Sequence, residues 1–346
     1  MSSGSSTKHT VTVAEIAERA GVSVGAVSFA LNGRKGVSER TRAHILLVAD
    51  ELGWVPGAAA KALKTTTSNS FGLVLARDPK NLGVESFYMQ FIAGMETELA
   101  PRGYGLLLQV APDEASQLKT LRRWRTTKRV DGTLLVDLRV DDPRAAYFAE
   151  HPEFPAVAVA DPSAAPGLTT VWTDDAQAMR EAVRALASLG HRRIARVAGL
   201  SALAHTQIRD AAFLDETAKL GCDAVLLRTD YSPEQGTEAT EQALASDGRP
   251  TAFVYDNDIM AVAALGAFAR AGLRCPDDVS VIAWDDSLIC QHVVPKLSAL
   301  SHDVVAFGAH AARRLFDVQS GAEPKPFLDS TPSLISRESI GPVPVG

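Results

Sequence analysis

The sequence predicts an α/β chain in which a small all-α module precedes a larger core of parallel sheets. Three observations carry that prediction. Residues 12–53 hold three short stretches with apolar residues at helical spacing, separated by glycine, serine and asparagine. From residue 70 onward, near-continuous apolar strands alternate with amphipathic helices, the pattern of parallel sheets covered on both faces. The length, 346 residues, exceeds what one compact core accommodates, so two or three domains are expected.

Composition narrows the class. The chain is 46% hydrophobic and 22% charged, with mean hydropathy near zero. No apolar run approaches the ~18–20 residues that span a bilayer, and the opening MSSGSSTKHT lacks the apolar core of a secretory signal. Cys222, Cys275 and Cys290 are odd in number and widely spaced, which suits neither a metal site nor a disulfide framework. A cytoplasmic protein with no membrane association is expected. The net charge of −6 is unevenly spread. Residues 1–64 carry eight Lys or Arg against five acids, leaving +3 there and −9 on the remainder. Such an asymmetry fits a small basic module on an acidic body.

The module divides as follows. Thr12-Val-Ala-Glu15 fits a capping box, so a first helix begins there, with Val13, Ile16, Ala17 and Ala20 on one face. Gly21 ends it in the left-handed conformation. Ser23 caps a second helix that buries Val27, Ala30 and Leu31, and Asn32-Gly33 stops it. Ser38 opens a third, with Ile45, Val48, Ala49 and Leu52 inward and Gly53 as its stop. Two helices joined by a tight glycine-containing turn and backed by a third make a helix-turn-helix. Gly25 is the odd residue. A helix-interior glycine costs about 1 kcal/mol relative to alanine, and a close approach of something large to the backbone would repay it.

The run from Val11 to Leu63 resembles the DNA-binding headpiece of the lactose/galactose repressor (LacI/GalR) family. The turn Ala20-Gly21-Val22-Ser23, Val27-Ser28, Leu31-Asn32, Val37-Ser38 and Pro56…Ala60…Leu63 match in order. The resemblance implies that the second helix lies in the major groove with its N-terminal residues at the base edges. DNA contacts are then expected from Thr12, Ser23, Val24, Gly25, Ala26, Ser28, Phe29, Asn32, Arg34 and Lys35. Arg40 and Arg42 add phosphate contacts, which supply affinity without sequence information. The chain departs from the family at Val24, Gly25 and Phe29, where polar or basic side chains are usual. None of the three can make a bidentate hydrogen bond to a base. Readout must lean either on apolar contact with thymine methyl groups or on DNA shape.

Residues 56–64, PGAAAKALK, are too short for a stable free helix. Their family counterpart is a hinge helix that pairs with its twin in the minor groove. By that likeness Leu63 wedges a base step, Ala60 packs on the twin, and Lys61 and Lys64 face the groove or phosphates.

In the body, strands are expected at 71–76, 104–110, 130–137 and 155–161, then at 193–199, 223–228, 251–256 and 279–286. Helices are expected near 87–102, 114–128, 174–189, 208–219, 233–246 and 258–271. Two sheets of roughly five strands suit two lobes. The segments ASLGHRRIARVAG, DNDIMAVAALGAFARAGLRCPDDVSVIAWDD and VVPKLSALSHD continue the resemblance, which covers about 95% of the chain, into the family's periplasmic-binding-protein-like core. The expected organisation is a headpiece at 1–55 and a hinge and linker at 56–69. An N-terminal lobe takes 70–170 with 302–330, and a C-terminal lobe 171–301 with 331–346.

Ligands of open α/β sheets bind beyond the carboxyl ends of the strands, so two facing sheets place the site between the lobes. The candidates there are Asp137, Asp161, Asp258 and Asp285, with Arg209 and Tyr231. A strand-end aspartate can also merely cap the next helix. Arg209 falls in the family's arginine–x–x–glycine–phenylalanine landmark, with Ala212 in place of glycine, and Tyr231 falls where relatives stack a ring on the effector. Trp284 stands at the same edge, as lobe core or as part of the ligand wall. Carboxylates, one arginine and an aromatic face suit a polyhydroxylated effector such as a sugar. KNLGVESFYM stands where relatives carry an NPF segment, a second departure.

No nucleophile elbow, P-loop or zinc spacing appears, and no cofactor or enzymatic activity is expected. The expectation is a homodimeric transcriptional regulator, in sense a repressor, that binds near-palindromic double-stranded operator DNA under control of a small molecule. A solute-binding protein that acquired a DNA-binding module and acts with a corepressor is the alternative. The tail SRESIGPVPVG has no leucine heptad, so a tetramerising coil is not expected.

Overall fold

The structure is a computed structural model that describes residues 11–31, 34–54, 67–77 and 85–343. Asn32 and the hinge residues Ala60, Lys61, Leu63 and Lys64 lie outside the described residues. The chain divides into two compact units, Met1–Thr66 and Thr67–Gly346.

In the first unit, α1 (Val13–Ala20), α2 (Val24–Leu31) and α3 (Glu39–Glu51) follow their local signals. Thr12 and Glu15 form a reciprocal capping box: the Glu15 amide donates to Thr12 Oγ1, and the Thr12 amide donates to Glu15 Oε2 at 2.7 Å. Gly21 closes α1 at φ 65°. Ser23 Oγ accepts from the Ala26 amide and Ser38 Oγ from the Thr41 amide, so each serine satisfies a donor that its helix leaves free. Ile16, Ala17, Ala20, Val27, Ala30, Ile45, Val48 and Ala49 form the core, and Trp54 packs against it. Gly36, at φ 138°, has a second reason to be glycine. A Cβ there would lie 2.7 Å from the Phe29 ring.

The second unit contains two six-stranded sheets. The first is made of β1 (Ser70–Leu75), β2 (Gly105–Val110), β3 (Gly132–Leu135), β4 (Ala156–Val159), β5 (Thr169–Thr173) and β11 (Pro326–Ser330). Its spatial order is β11-β5-β4-β3-β1-β2. The second is made of β6 (Arg193–Ala198), β7 (Asp223–Arg228), β8 (Ala252–Tyr255), β9 (Ser280–Trp284), β10 (Ser298–Ser301) and β12 (Ser333–Ile335), in the order β12-β10-β9-β8-β6-β7. Leaving aside β11 and β12, both sheets run in the same doubly wound sequence, with β1 or β6 at the point where strand order reverses.

Helices cover both faces of each sheet. α4 (Ser86–Leu99) and α12 (Val304–Gln319) lie on one face of the first sheet, and α5 (Glu114–Thr126) and α6 (Pro143–Ala149) on the other. α9 (Pro233–Leu244) and α10 (Asp258–Arg270) face α7 (Asp175–Ser188) and α8 (Ala204–Lys219) across the second. The short α11 (Leu288–His292) follows β9.

Several points differ from expectation: α6, α11 and α12 and the strands β5 and β10 have no counterpart among the expected elements. Each sheet has six strands rather than about five. The additions include β11 and β12, edge strands that are only half-buried and so show no continuous apolar run. β12 pairs antiparallel to β10, the one antiparallel pair among the named strands of the described residues. α8 begins at Ala204 rather than 208, because its first turn carries no apolar repeat to announce it.

The chain passes between the sheets three times. It goes from β5 into α7, from β10 into α12, and from β11 into β12. α12 packs back on α4 at unusually short range: a Cβ on Gly308 would lie 2.0 Å from the Phe91 carbonyl oxygen, and one on Gly94 2.0 Å from that of Val305. Backbone cannot yield as a flexible side chain does. Gly308→Ala is therefore expected to force the helices apart, at a cost of about 1–3 kcal/mol, read as a lower urea midpoint with unchanged slope.

Candidate functional site

Two regions bear on function, one in each unit. On α2, Val27 and Ala30 point into the core, while Val24, Gly25 and Phe29 are exposed. A Cβ on Gly25 would meet only Ser23 Oγ, at 3.8 Å. Nothing inside the described unit requires glycine there. Phe29 is 40% exposed and leans on Gly36, so its ring is held in place rather than free. Thr12 and Ser23 are exposed caps, and Ala26 and Ser28 are half-buried. Arg34, Lys35 and Arg40 are exposed. Arg42 differs: its guanidinium donates to the Ala30 carbonyl at 3.3 Å and the Arg34 carbonyl at 2.8 Å, bracing the C-terminal end of α2. That arginine holds the helix in place.

In the second unit, a cavity of about 170 Å³ lies between the two sheets, walled by the residues that follow their strands. From the first lobe come Arg77 after β1, Asp137 after β3 and Asp161 after β4, with Glu85 and Tyr88 from the start of α4. From the second come Tyr231 after β7, Asp256 and Asp258 after β8, Trp284 and Asp285 at the end of β9, and His205 and Arg209 from α8. The crossing segments add Trp172, Asp175 and His302. All seven residues expected at the cleft line this cavity.

Their states differ. Asp137, at φ 52°, is gripped by Arg77, with Nε to Oδ2 at 2.9 Å and Nη2 to Oδ1 at 3.1 Å, and it also accepts from the Tyr88 hydroxyl. Burial pushes its carboxyl up, but Arg77 chiefly, with His205 and the Tyr88 hydrogen bond, holds it below the usual range. Arg209 donates to Asp175 at 2.8 Å and Asp256 at 3.5 Å, and its guanidinium sits 3.5 Å from the Trp284 ring centroid. Trp284 is thus both core, at 2% exposed, and the surface under the cleft's arginine. Asp161 accepts from the Ser163 amide and hydroxyl, capping the turn that follows.

Tyr231 is less open than its expected stacking role implies. Only 5% exposed and at φ 71°, it presses its ring so closely on Gly199 that a Cβ there would fall 1.9 Å from Cζ. The Arg77 guanidinium lies 4.8 Å from its centroid, and its hydroxyl pairs with His205 Nε2 and Thr206 Oγ1. It acts mainly as a wall that joins the lobes.

Asp258, Asp285 and Glu85 have no cationic partner among the described residues. Asp258 is 3% exposed. Its Oδ1 accepts from the Ile259 amide, while Oδ2 is buried with no hydrogen bond of normal geometry, the Ser287 hydroxyl lying beside it. Burial, then the neighbouring Asp258, push the Asp285 carboxyl up to about 8 against the pull of Arg209. Burial takes Glu85 to about 7, with Arg77 opposing and Asp137 and Asp258 reinforcing. His205 moves the other way: burial and Arg209 lower it to about 4, so it is neutral at pH 7. The sequence reading missed Arg77, Glu85, Tyr88, Asp175, Asp256 and His302. Arg77 and Asp256 carried the strand-end signal, whereas Glu85 and Tyr88 open a helix that only the fold brings to the cleft.

A three-helix DNA-reading module with an exposed second helix, carried on a two-lobed core with a charged interlobe cleft, defines the class of ligand-responsive DNA-binding regulators. The comparisons agree. The sequence pattern of bacterial regulatory proteins of the lacI family matches residues 12–57, and that of the periplasmic binding protein-like domain matches residues 183–340. The chain is 30% identical over 339 residues to the HTH-type transcriptional repressor PurR of Escherichia coli O139:H28, covering 96% of this chain and 98% of the relative. It is similar to the structure of the transcriptional regulator CelR in complex with cellobiose, at 27% identity and TM-score 0.72, over 95% of this chain and 99% of that one. It also resembles the lac repressor dimer bound to operator and the anti-inducer ONPF, at 26% identity and TM-score 0.84, over 96% and 99%. The chain belongs to the LacI family of bacterial transcriptional regulators.

The raised Asp285 carboxyl has a consequence for stability. Its folded-state pKa lies above the ~3.9 of an unfolded aspartate, so the folded protein keeps a proton that the unfolded chain releases. This group's contribution is complete below about pH 4 and is lost as pH rises towards 8. Asp285→Asn removes the ionisation. The variant should match the parent near pH 4 and gain on it steadily to pH 8, at up to about 1.4 kcal/mol per pH unit, measured as thermal midpoints across that range.

Proposed function

We propose that this protein is a homodimeric repressor whose operator affinity is set by a small polar metabolite, such as a sugar, held between the lobes. The observation that carries the reading is the exposed face of α2, where Val24, Gly25 and Phe29 stand clear of a core formed by the rest of the helix. With α2 in the major groove, Gly25 lets the backbone come close to DNA. Val24 and Phe29 offer apolar contact to thymine methyl groups, and Arg34, Lys35 and Arg40 reach phosphates. A two-fold protein of this kind reads two half-sites of a near-palindrome. The family likeness adds the hinge, with Leu63 entering the minor groove and Ala60, Lys61 and Lys64 beside it.

Effector binding would act by changing the angle between lobes joined at three crossings, and so the spacing of the two headpieces. Such coupling is typically worth about 1–3 kcal/mol. The charged cleft, an arginine on a tryptophan face and three carboxyl groups with no cationic partner among the described residues suit a ligand with several polar groups. That CelR is solved with cellobiose supports the same ligand class here.

Two substitutions test the parts separately. Gly25→Ala should leave the headpiece as stable or up to ~1 kcal/mol more so, because its Cβ meets only Ser23 Oγ, at an ordinary contact distance of 3.8 Å. Operator affinity should fall roughly 10-fold or more, measured by gel shift on a sequence selected from random duplexes. Asp285→Ala should bind that operator but no longer respond to effector, because the change lies in the cleft.

A further inference from the structure

The cleft holds more carboxylate than its arginines neutralise. Arg77 is taken by Asp137, and Arg209 by Asp175 and Asp256. Arg196, behind them, is taken by Asp256 and Asp210. Asp161 and Asp174 are occupied as caps, by Ser163 and the Gln177 amide, which leaves Glu85 from the first lobe and Asp258 and Asp285 from the second, all lining one cavity. They act on one another: the charge of Asp258 raises both of the others, and Glu85 raises Asp285.

The Asp258 side chain makes the need for an outside partner specific. It is 97% buried in the cavity wall; its Oδ2 makes no hydrogen bond of normal geometry, and the one donor beside it among the described residues is the Ser287 hydroxyl, which carries no charge. Leaving a buried acceptor unmade is costly, more so when it carries charge. Neither histidine supplies the missing cation, because burial lowers the pKa of both His205 and His302. No group of three or more His, Cys, Asp or Glu among the described residues is arranged to hold a metal ion. A hydroxyl-rich neutral ligand would meet the oxygens but leave Asp285 and Glu85 holding protons, because three confined carboxylates cannot all ionise unaided. An ammonium group meets the oxygens with three donors and brings the positive charge that lets them ionise.

We propose that the effector carries a protonated amine, seated among Glu85, Asp258 and Asp285, with its remaining polar groups towards Arg77 and Arg209. An amino sugar or a comparable small polar amine fits. This rests on the reading of the cleft as the effector site. It goes beyond that reading in assigning the ligand a charge.

The test uses the full-length protein and matched probes that differ only in the amine: glucose with glucosamine, galactose with galactosamine, and glycerol with 2-aminopropane-1,3-diol. N-acetylated hexosamines serve as uncharged controls. In titration calorimetry, at least one amine should bind roughly 10-fold or more tightly than its hydroxyl partner and its acetylated form. Asp258→Asn and Glu85→Gln should each reduce that preference, and circular dichroism should show both variants folded. Neutral partners that bind equally well, a panel in which no amine binds, or stabilisation by Ca²⁺ instead would overturn the amine. The cleft assignment fails in a different way, when binding of any probe survives Asp285→Ala unchanged. Neutral binding that Asp285→Ala abolishes keeps the cleft and overturns only the amine.

Discussion

A chain of alternating charge, exposed at Arg228 and buried beyond it, runs through the second lobe, and the geometry of the cleft depends on it. Arg228 meets Asp210 at 2.6 Å, and Asp210 meets Arg196 at 2.9 Å. Arg196, with no exposed surface, grips both oxygens of Asp256 at 2.7 and 3.0 Å. Asp256 passes the chain to Arg209, and Arg209 to Asp175. Charges this deep are tolerated only when every member is paired. Burial would raise Asp256, yet Arg196 and Arg209 hold it at about 2. The chain joins β6, β7, β8 and α8 to the first residue of α7, where the backbone has just crossed from the other lobe. It therefore fixes one wall of the cleft and anchors a crossing point at once.

The first lobe answers with a smaller device of the same kind. Arg77 and Asp137 follow β1 and β3, the two strands on either side of the reversal in strand order. Arg77 then reaches the Tyr231 ring of the second lobe. The Ala204 amide donates to the Leu138 carbonyl at 2.8 Å, and Arg139 bridges to Leu203, so the lobes touch along one side of the cavity. The lining of the cavity and the contact between lobes thus share residues. A molecule that disturbs Arg77, His205 or Tyr231 also disturbs the interlobe seam, which is the physical requirement for a ligand to bias the angle between lobes.

The headpiece divides its polar groups in the same economical way. Thr12, Ser23 and Ser38 cap helices, Arg42 closes the end of α2, and Gly36 makes room for Phe29. What is left facing outward on α2 is apolar or absent: Val24, Gly25 and the edge of Phe29. On the proposed reading of α2 as the recognition helix, outward side chains such as Val24 and Phe29 shift the burden of affinity to cations at its margin and to the shape of the DNA.

The sequence by itself determined the elements whose causes are local. The capping box at Thr12, the stop at Gly21 and the buried strands β1, β3, β6, β8 and β9 were legible because each is decided by neighbours within a few residues. The family motifs carried the order of domains, and the strand-end rule placed Asp137, Asp161, Asp258 and Asp285. Tertiary structure alone decided what those residues do. Whether an aspartate is paired, like Asp137, capping, like Asp161, or left open, like Asp258 and Asp285, depends on side chains many positions away in the chain. The same holds for Glu85, brought to the cleft by α4, and for β11 and β12, edge strands recruited by partners rather than by their own apolar pattern. Charge state and pairing are properties of three-dimensional neighbourhoods, because Coulomb interaction and burial act through space without regard to sequence order.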